Sequence, residues 1–379
     1  MIVGRENIAS PLWVGFEGTS LPPETARWLA QGLAGGVVLF ARNIESPEQV
    51  RGLCREVRAA AGEGNPLPLI AVDQEGGLVA RFREPFLPEF PPARACTLFG
   101  RRGEEVAERF GEAFGAGLRS LGIDVDFAPV LDVASNPENP VIGNRAFSAD
   151  PNEAARLALA FARGLMSRGV LAVGKHFPGH GDSSTDSHKE LPVVRASRET
   201  LRGRELLPFR RAVRAGIPGI MTAHVVYPAL DPDFPATLSS RILKGLLRET
   251  MRYRGTVFSD ALEMKAISGH RGMGEAAVLA VRAGCDAVLV CRGEALQEEA
   301  IERLERECRD DATFRRSLSS AARRSGRLRA WTASEGRRLP DPKGPEPERT
   351  RELSALLRER WEGSGRTSTA DRAGNIGEG

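Results

Sequence analysis

Eight short apolar runs, most of them rich in β-branched residues, alternate along this chain with longer stretches of helical periodicity. This alternation is typical of repeated β/α units, in which a crossover helix follows each buried parallel strand. The runs span residues 12–16, 36–40, 67–72, 124–130, 170–177, 219–224, 255–260 and 287–291. Eight such strands predict an α/β fold, a single closed (β/α)8 barrel of the TIM type. A doubly wound open sheet is the alternative, because an error in the strand count would leave that fold open.

The stretches between the runs carry the predicted helices. Several of them begin with a proline in the first turn or with an acidic residue, as helix N-termini prefer. They span residues 23–33, 47–61, 104–121, 151–168, 198–215, 239–250, 274–283 and 294–306.

The composition changes after residue 332. Residues 333–350 are charged and rich in proline and glycine, and residues 363–379 are similarly poor in apolar side chains. We therefore expect a barrel domain over residues 1–332 and a low-complexity, disordered polar tail over residues 333–379. Within this tail, residues 351–361 place several apolar side chains on one face of a short helix, which we expect to be loosely attached rather than docked. These side chains are Leu353, Leu356, Leu357 and Trp361.

Charge and hydropathy exclude several classes of protein. The 53 basic and 50 acidic residues give a net charge of +3 that is spread along the chain, so nucleic acid is not an expected partner. No run approaches the roughly 18 apolar residues that a membrane span needs, and the first ten residues do not resemble a signal peptide. We expect a cytoplasmic protein. The five cysteines are scattered without a CxxC pair, which predicts small buried hydrophobic residues.

Polar side chains follow most of the predicted strands, at the end where barrel active sites form. Taken singly, each has an ordinary explanation, since aspartate often caps the next helix and lysine is usually solvated. Their repetition at five strand ends favours a site. These residues are Asp73, Asp132, Lys175 with His176, His224 and Asp260.

The densest group of titratable residues lies at 174–188, GKHFPGHGDSSTDSH, which holds three histidines, two aspartates and a lysine. Its proline and glycines forbid a regular helix, so we expect a shaped loop at a strand end. One interpretation is a metal site, with His176, His180, Asp182 and His188 as ligands. The absence of HExxH spacing and the adjacent Lys175 cation oppose it. A second interpretation is that the histidines only satisfy hydrogen bonds within a buried loop.

A third interpretation pairs Asp186 with His188. Two residues apart on a loop, they can form a hydrogen bond, and the carboxylate would then fix the imidazole tautomer and raise its pKa from about 6.5. Such a pair can donate a proton and later accept one near neutral pH. Asp260, at another strand end, would be suited to attack an acetal carbon as a nucleophile.

Several segments, in this order along the chain, resemble those of one enzyme family. They are GFEGTSLPPE, GGVVLFARNI, AVDQEGGLVARF, DFAPVLDV, GNRAFS, KHFPGHGDSSTDSH, MTAHVVYPALD and SDALEMKAI. Together they resemble the bacterial β-N-acetylhexosaminidases of glycoside hydrolase family 3, exo-acting enzymes of cell-wall recycling. The resemblance covers about the first 330 residues.

The resemblance implies a role for particular residues. Asp260 matches the catalytic nucleophile, His188 the acid/base and Asp186 the carboxylate that orients it. Five further residues match those that bind the hydroxyls of the terminal sugar in the family: Asp73, Arg81, Arg145, Lys175 and His176. Two positions depart from the pattern without touching these roles: Ala261 stands where many members have a second aspartate, and Leu78 where many have arginine.

The activity that the resemblance implies is retaining hydrolysis of terminal β-linked N-acetylglucosamine from peptidoglycan-derived muropeptides or related glycosides. It implies no metal and no cofactor, a small-molecule sugar as the partner, and a monomer. Many relatives that act on other sugars carry a second α/β domain with a carboxylic acid/base, whereas only the polar residues 333–379 follow the barrel here. We therefore expect the proton donor to come from the barrel's own loops.

Two alternatives stay open at this point. A β-glucosidase or a glycoside phosphorylase could use the same barrel, and a histidine acid/base would tolerate an anionic acceptor such as phosphate. A non-catalytic protein that binds sugars or senses the cell wall is the alternative from a different class. Asp260 and His188 together argue against that last alternative, because a binding module needs neither a nucleophile nor a proton shuttle.

Overall fold

Eight parallel strands close into a barrel in this computed structural model, which describes residues 10–184, 191–338 and 346–365, without the side chains of 333–338. Each strand overlaps one of the predicted runs, so the predicted TIM-type α/β fold is confirmed. The first strand pairs with the last, which excludes the open sheet. The barrel strands are β1 Leu12–Val14, β2 Gly36–Val38, β3 Leu69–Val72, β6 Val125–Asp126, β7 Leu171–Phe177, β8 Gly219–Thr222, β9 Thr256–Ala261 and β10 Ala287–Val290.

Side chains alternate between the inside of the barrel and the layer of helices around it, as the pleat of a strand requires. Trp13 points inward and meets the ring of Phe258 edge to face, with centroids 5.2 Å apart. Its neighbours Leu12 and Val14 belong instead to the larger apolar cluster outside. The barrel interior is therefore packed with side chains and leaves room for a site only at an end.

Helices cover the outside of the barrel, and their first turns follow the predicted signals. Ser46 caps α2 and Asp150 caps α4, each with a proline at the start of the helix. The helices are α1 Pro23–Ala30, α2 Pro47–Ala59, α3 Gly103–Leu121, α4 Pro151–Ser167, α5 Arg198–Gly203, α6 Leu206–Arg214, α7 Lys265–Ser268, α8 Met273–Ala283, α9 Glu294–Asp310, α10 Ala312–Arg338 and α11 Pro347–Gly363, with a π-helix at Arg241–Thr250.

Two local predictions were wrong or incomplete. The stretch 198–215 is two helices, α5 and α6, rather than one. Pro208 has no N–H to donate to the carbonyl of Arg204, so a continuous helix would lose a hydrogen bond at this point. A short antiparallel hairpin, β4 Gln74–Gly76 with β5 Val79–Ala80, was not predicted and follows β3 directly.

Helix α10 closes the amino-terminal end of the barrel. Leu328 is buried in the interior cluster, and Trp331 packs against that cluster. Arg324 Nε lies 2.7 Å from a carboxylate oxygen of Asp286, just before β10, and Arg329 Nε donates to the Leu67 carbonyl, just before β3. Because this end is plugged, the opposite, carboxyl end is the one available for a site.

Helix α11 lies within the segment expected to be a polar tail, and it packs against the barrel domain. Leu353 and Leu357 are buried, and the Ser354 hydroxyl donates to the Glu89 carbonyl across 2.6 Å. Helix α10 also continues past residue 332, the expected domain boundary. Of the helices in the described ranges, none is both long and apolar enough to cross a membrane.

Candidate active site

The carboxyl ends of three strands bring four predicted sugar-binding residues into one group. Asp73 follows β3, Lys175 lies in β7, Arg81 follows the β4–β5 hairpin and Arg145 comes from the loop after β6. Glu75, in the hairpin, completes what we call the ionic cluster: Asp73, Glu75, Arg81, Arg145 and Lys175. The hairpin thus places two of its charges over the mouth of the barrel.

Short contacts join the members of the ionic cluster. Lys175 Nζ lies 2.6 Å from Asp73 Oδ1 and 2.5 Å from Glu75 Oε1. Arg145 binds both carboxylate oxygens of Glu75, each at 2.8 Å, and Arg81 Nη2 is 3.7 Å from Asp73 Oδ2. The paired geometry of Arg145 with Glu75 fixes orientation as well as charge.

The mutual attraction of these charges keeps them ionised despite their burial. Burial alone would raise the pKa of Glu75, but the neighbouring Arg145 and Lys175 hold it well below its usual value. Burial would likewise lower the pKa of Lys175, yet Asp73 and Glu75 raise it. The Asp73 side chain is 17% exposed, whereas that of Lys175 is 3% exposed. The Asp73 carboxylate is therefore the accessible member of this pair, and its ammonium partner is buried.

His176 is held from behind by Asp132. Its Nδ1 lies 2.7 Å from Asp132 Oδ2, and its backbone N–H also donates to this carboxylate. Burial would raise the pKa of Asp132, but the charge of His176 and the hydrogen bonds that the carboxylate accepts lower it. An ionised Asp132 accepts the Nδ1–H of His176 and so fixes the orientation of the imidazole ring.

His180 forms hydrogen bonds with Asp132 and Ser183. Its backbone N–H donates to Asp132 across 2.7 Å, and its Nδ1 lies 2.8 Å from the Ser183 hydroxyl. Burial lowers the pKa of His180 to about 4, so the ring is neutral near pH 7. The described ranges contain no group of three or more histidine, cysteine, aspartate or glutamate side chains placed to hold a metal ion. His180 thus fits the interpretation of hydrogen bonds within a buried loop.

Asp260 stands on an irregularity of β9. Ala287 and Leu289, two positions apart on β10, pair with residues three positions apart on β9, so β9 has an extra residue where Asp260 lies. Such a bulge bends a strand and re-aims a side chain. One carboxylate oxygen of Asp260, Oδ1, accepts the N–H of Ala261 at 2.8 Å, and the side chain is partly exposed.

Asp260 and the ionic cluster lie around the same end of the barrel. Burial raises the pKa of the Cys291 thiol, and the carboxylates of Glu263, Asp73 and Asp260 raise it further. Cys291 follows β10, so it sits between the strand that carries Asp260 and the strands that carry the cluster. A molecule held by Asp73 and Lys175 would therefore lie at the same end of the barrel as Asp260, a carboxylate that can act as a nucleophile.

Residues 12–324 match the family described as Glycosyl hydrolase family 3 N terminal domain. The chain belongs to glycosyl hydrolase family 3. The family resemblance predicted from the sequence motifs is thus confirmed.

Relatives of this family-3 chain carry the name Beta-hexosaminidase. One from Nitrosomonas eutropha is 41% identical over 299 residues, which is 78% of this chain and 84% of the relative. Another, from Thioalkalivibrio sulfidiphilus, is 42% identical over 320 residues, 84% of this chain and 89% of the relative.

Solved structures agree with this placement in family 3. A glycoside hydrolase family 3 β-N-acetylglucosaminidase from Paenibacillus sp. str. FPU-7 superposes with a TM-score of 0.86 at 36% identity, over 95% of this chain and 69% of that one. NagZ from Neisseria gonorrhoeae, solved in complex with N-trifluoroacetyl-D-glucosamine, gives a TM-score of 0.71 at 32% identity, over 84% and 98%.

Two predicted residues of this family-3 site, Asp186 and His188, lie outside the described residues. The assignment of acid/base to His188, and of its orienting carboxylate to Asp186, stays a prediction from the sequence. The described part of their loop ends at Ser184 and resumes at Leu191.

Sequence reasoning missed two acidic residues of the site. Glu75 anchors both Arg145 and Lys175, and its position two residues after Asp73, in DQEGG, was the signal that could have found it. Asp126 accepts the Gln74 N–H through Oδ1, and its Oδ2 is buried without a hydrogen-bond partner in the described residues. Burial raises the pKa of Asp126 well above its usual value.

Proposed function

We propose that this protein is an exo-acting, retaining β-N-acetylhexosaminidase that releases terminal β-linked N-acetylglucosamine from peptidoglycan-derived muropeptides or related glycosides. The observation that carries the proposal is the partly exposed Asp260 carboxylate on its bulge, at the same open end of the barrel as the Asp73–Lys175 pair. The names of the relatives support the sugar and the linkage.

The ionic cluster would hold the terminal sugar. Asp73 accepts hydrogen bonds from sugar hydroxyls, while Lys175, Arg81 and Arg145 donate to hydroxyl oxygens. His176, whose Nδ1 is bound to Asp132, would form a hydrogen bond to the sugar through Nε2. Positioning of this kind converts binding energy into a lower barrier, because the anomeric carbon is held within reach of the nucleophile.

The first chemical step would form a covalent glycosyl-enzyme. Asp260 attacks the anomeric carbon while His188 gives its proton to the leaving oxygen, so the glycosidic bond breaks as the ester bond forms. In the second step His188 takes a proton from water, the water attacks the same carbon, and Asp260 leaves. Two inversions give net retention. A histidine acid/base avoids a second anion beside Asp260, unlike the usual pair of carboxyl groups.

The test is hydrolysis of a chromogenic β-N-acetylglucosaminide, followed by trapping of the labelled residue with a fluorinated sugar. We expect turnover, and a fluorosugar adduct on the peptide that contains Asp260. Asp260→Asn should lower kcat by roughly 10⁴-fold or more with unchanged folding. Asp233→Asn, at an aspartate whose side chain is 65% exposed, is the matched control and should retain full activity. Substantial activity in Asp260→Asn would exclude Asp260 as the nucleophile.

The same assay separates the rival activities. Faster cleavage of the β-glucoside than of the N-acetylglucosaminide would indicate a β-glucosidase. Release of a sugar 1-phosphate when phosphate is added would indicate a phosphorylase. Binding of N-acetylglucosamine without turnover of either substrate would indicate a sugar-binding protein. The cytoplasmic location and the monomeric state stay predictions, which fractionation and sedimentation would check.

A further inference from the structure

The bulge that carries Asp260 is anchored from both neighbouring strands. On the β10 side, the Leu289 N–H donates to the Ser259 hydroxyl at 2.9 Å, in place of an ordinary backbone acceptor. The Leu289 carbonyl accepts the N–H of Leu262, also at 2.9 Å. The side chain of Ser259 thus replaces a bond that the extra residue removes from the ladder.

His224 provides the anchor on the β8 side. It follows the end of β8, is 1% exposed, and places Nε2 2.9 Å from the carbonyl oxygen of Ala261. A carbonyl only accepts, so Nε2 carries the proton and donates it. Its Nδ1 lies 2.7 Å from the Thr237 hydroxyl, which in turn lies 2.8 Å from that of Thr222. Both ring nitrogens are therefore engaged, and the ring orientation is fixed.

The backbone of Ala261 connects His224 to the nucleophile. Its carbonyl accepts from His224, and its N–H donates to Asp260 Oδ1 at 2.8 Å. A shift of the residue 260–262 backbone would therefore turn the Asp260 carboxylate as well. The contacts that hold Asp73 and Lys175 involve other strands and do not pass through His224.

We propose that His224 is a positioning residue for the nucleophile, which holds the bulge so that the Asp260 carboxylate is aimed at the anomeric carbon. The proposal rests on the proposed function, because it assigns His224 a part in the attack by Asp260. The proposal predicts that replacement of His224 lowers kcat and leaves the affinity for the sugar unchanged. Displacement of a reacting group by about 1 Å costs up to about 100-fold in rate.

The experiment compares two variants of nearly equal length, His224→Gln and His224→Met. The glutamine amide can donate to the Ala261 carbonyl, whereas methionine has no donor. We expect His224→Met to lower kcat on the N-acetylglucosaminide by roughly 10- to 100-fold. We expect KM, and the Kd of free N-acetylglucosamine, to stay within about twofold of the original values, and His224→Gln to recover at least about fivefold in kcat over His224→Met.

A control variant and two further measurements are needed to interpret the result. His270→Gln, at an exposed histidine, should leave kcat unchanged. Thermal unfolding and sugar binding of both His224 variants report whether each has folded. Equal kcat values for folded glutamine and methionine variants would overturn the proposal, and so would a loss of sugar affinity as large as the loss of kcat. The proposed function fails separately, if the unaltered protein does not turn over the substrate.

Discussion

At the scale of single residues, neighbouring charges rather than burial decide which side chains at the barrel mouth are charged. Lys175 and His180 are both almost fully buried, but the Lys175 ammonium contacts the carboxylates of Asp73 and Glu75, whereas burial has the largest effect on His180. Its pKa is raised, while that of His180 is lowered to about 4. The same reasoning explains why the pKa of Glu75 is lowered by its two cationic neighbours, whereas burial raises the pKa of Asp126.

The neutral His180 predicts a loss of stability in mild acid. Its folded pKa of about 4 lies below the value of about 6.5 expected in the unfolded chain, so the unfolded state binds more protons between these values. The free energy of unfolding should therefore fall as the pH is lowered, with a contribution of about 2 kcal/mol from this group between pH 7 and pH 5. Urea unfolding at the two pH values measures the fall. His180→Asn should reduce the difference, and an undiminished difference would contradict the assignment.

A general acid at His188 predicts a dependence on the leaving group. His188→Ala should slow substrates with poor leaving groups by roughly 10²- to 10⁴-fold, because these need a proton as the bond breaks. Substrates with good leaving groups, such as a dinitrophenolate, should lose much less in the first step. Steady-state and burst kinetics on a series of aryl glycosides measure the slope. Equal losses across the series would argue against the acid role.

At the scale of elements, the predicted strands and helices follow from local patterns, while the irregular pieces do not. The proline signals located the starts of α2 and α4 correctly. The break between α5 and α6 required attention to Pro208, which is tolerated near a helix start but not in its interior. The bulge at Asp260 has no signal in its own strand, because it is defined by the register against β10.

Helix α10 should contribute strongly to stability, because it plugs the barrel. Leu328 is 4% exposed and packs among interior residues, so Leu328→Ala should lower the free energy of unfolding by about 2 to 5 kcal/mol. Leu296→Ala, at a leucine that is 36% exposed, is the matched control and should change it by less than about 0.5 kcal/mol. Denaturant unfolding measures both. A similar, small effect at the two positions would mean that the plug is dispensable.

At the scale of the whole molecule, packing of the helices and the barrel against one another buries the five scattered cysteines, as the sequence predicted. Burial raises the pKa of Cys54 and of Cys96 to about 12, so neither forms a thiolate readily. We expect essentially no reaction of the folded protein with Ellman's reagent. All five thiols should react after unfolding in guanidinium chloride. Rapid modification of a thiol in the folded protein would show that the barrel opens locally.

The amino-acid sequence was sufficient to predict the eight β/α units and, through its motifs, the family. The same motifs named Asp73, Arg81, Arg145 and Lys175, which the structure brings into one cluster, and Asp260, whose role as the nucleophile stays a prediction. The strands were predictable because strand periodicity is local, and the carboxyl ends of parallel strands must meet at one end of a barrel. Arg81 and Arg145 were named only by the family resemblance. The contacts of Glu75 within the ionic cluster, and those of His224 and Ser259 with the bulge, become visible only in the folded structure. Those contacts depend on register and on packing between strands distant in the chain, which no local pattern encodes.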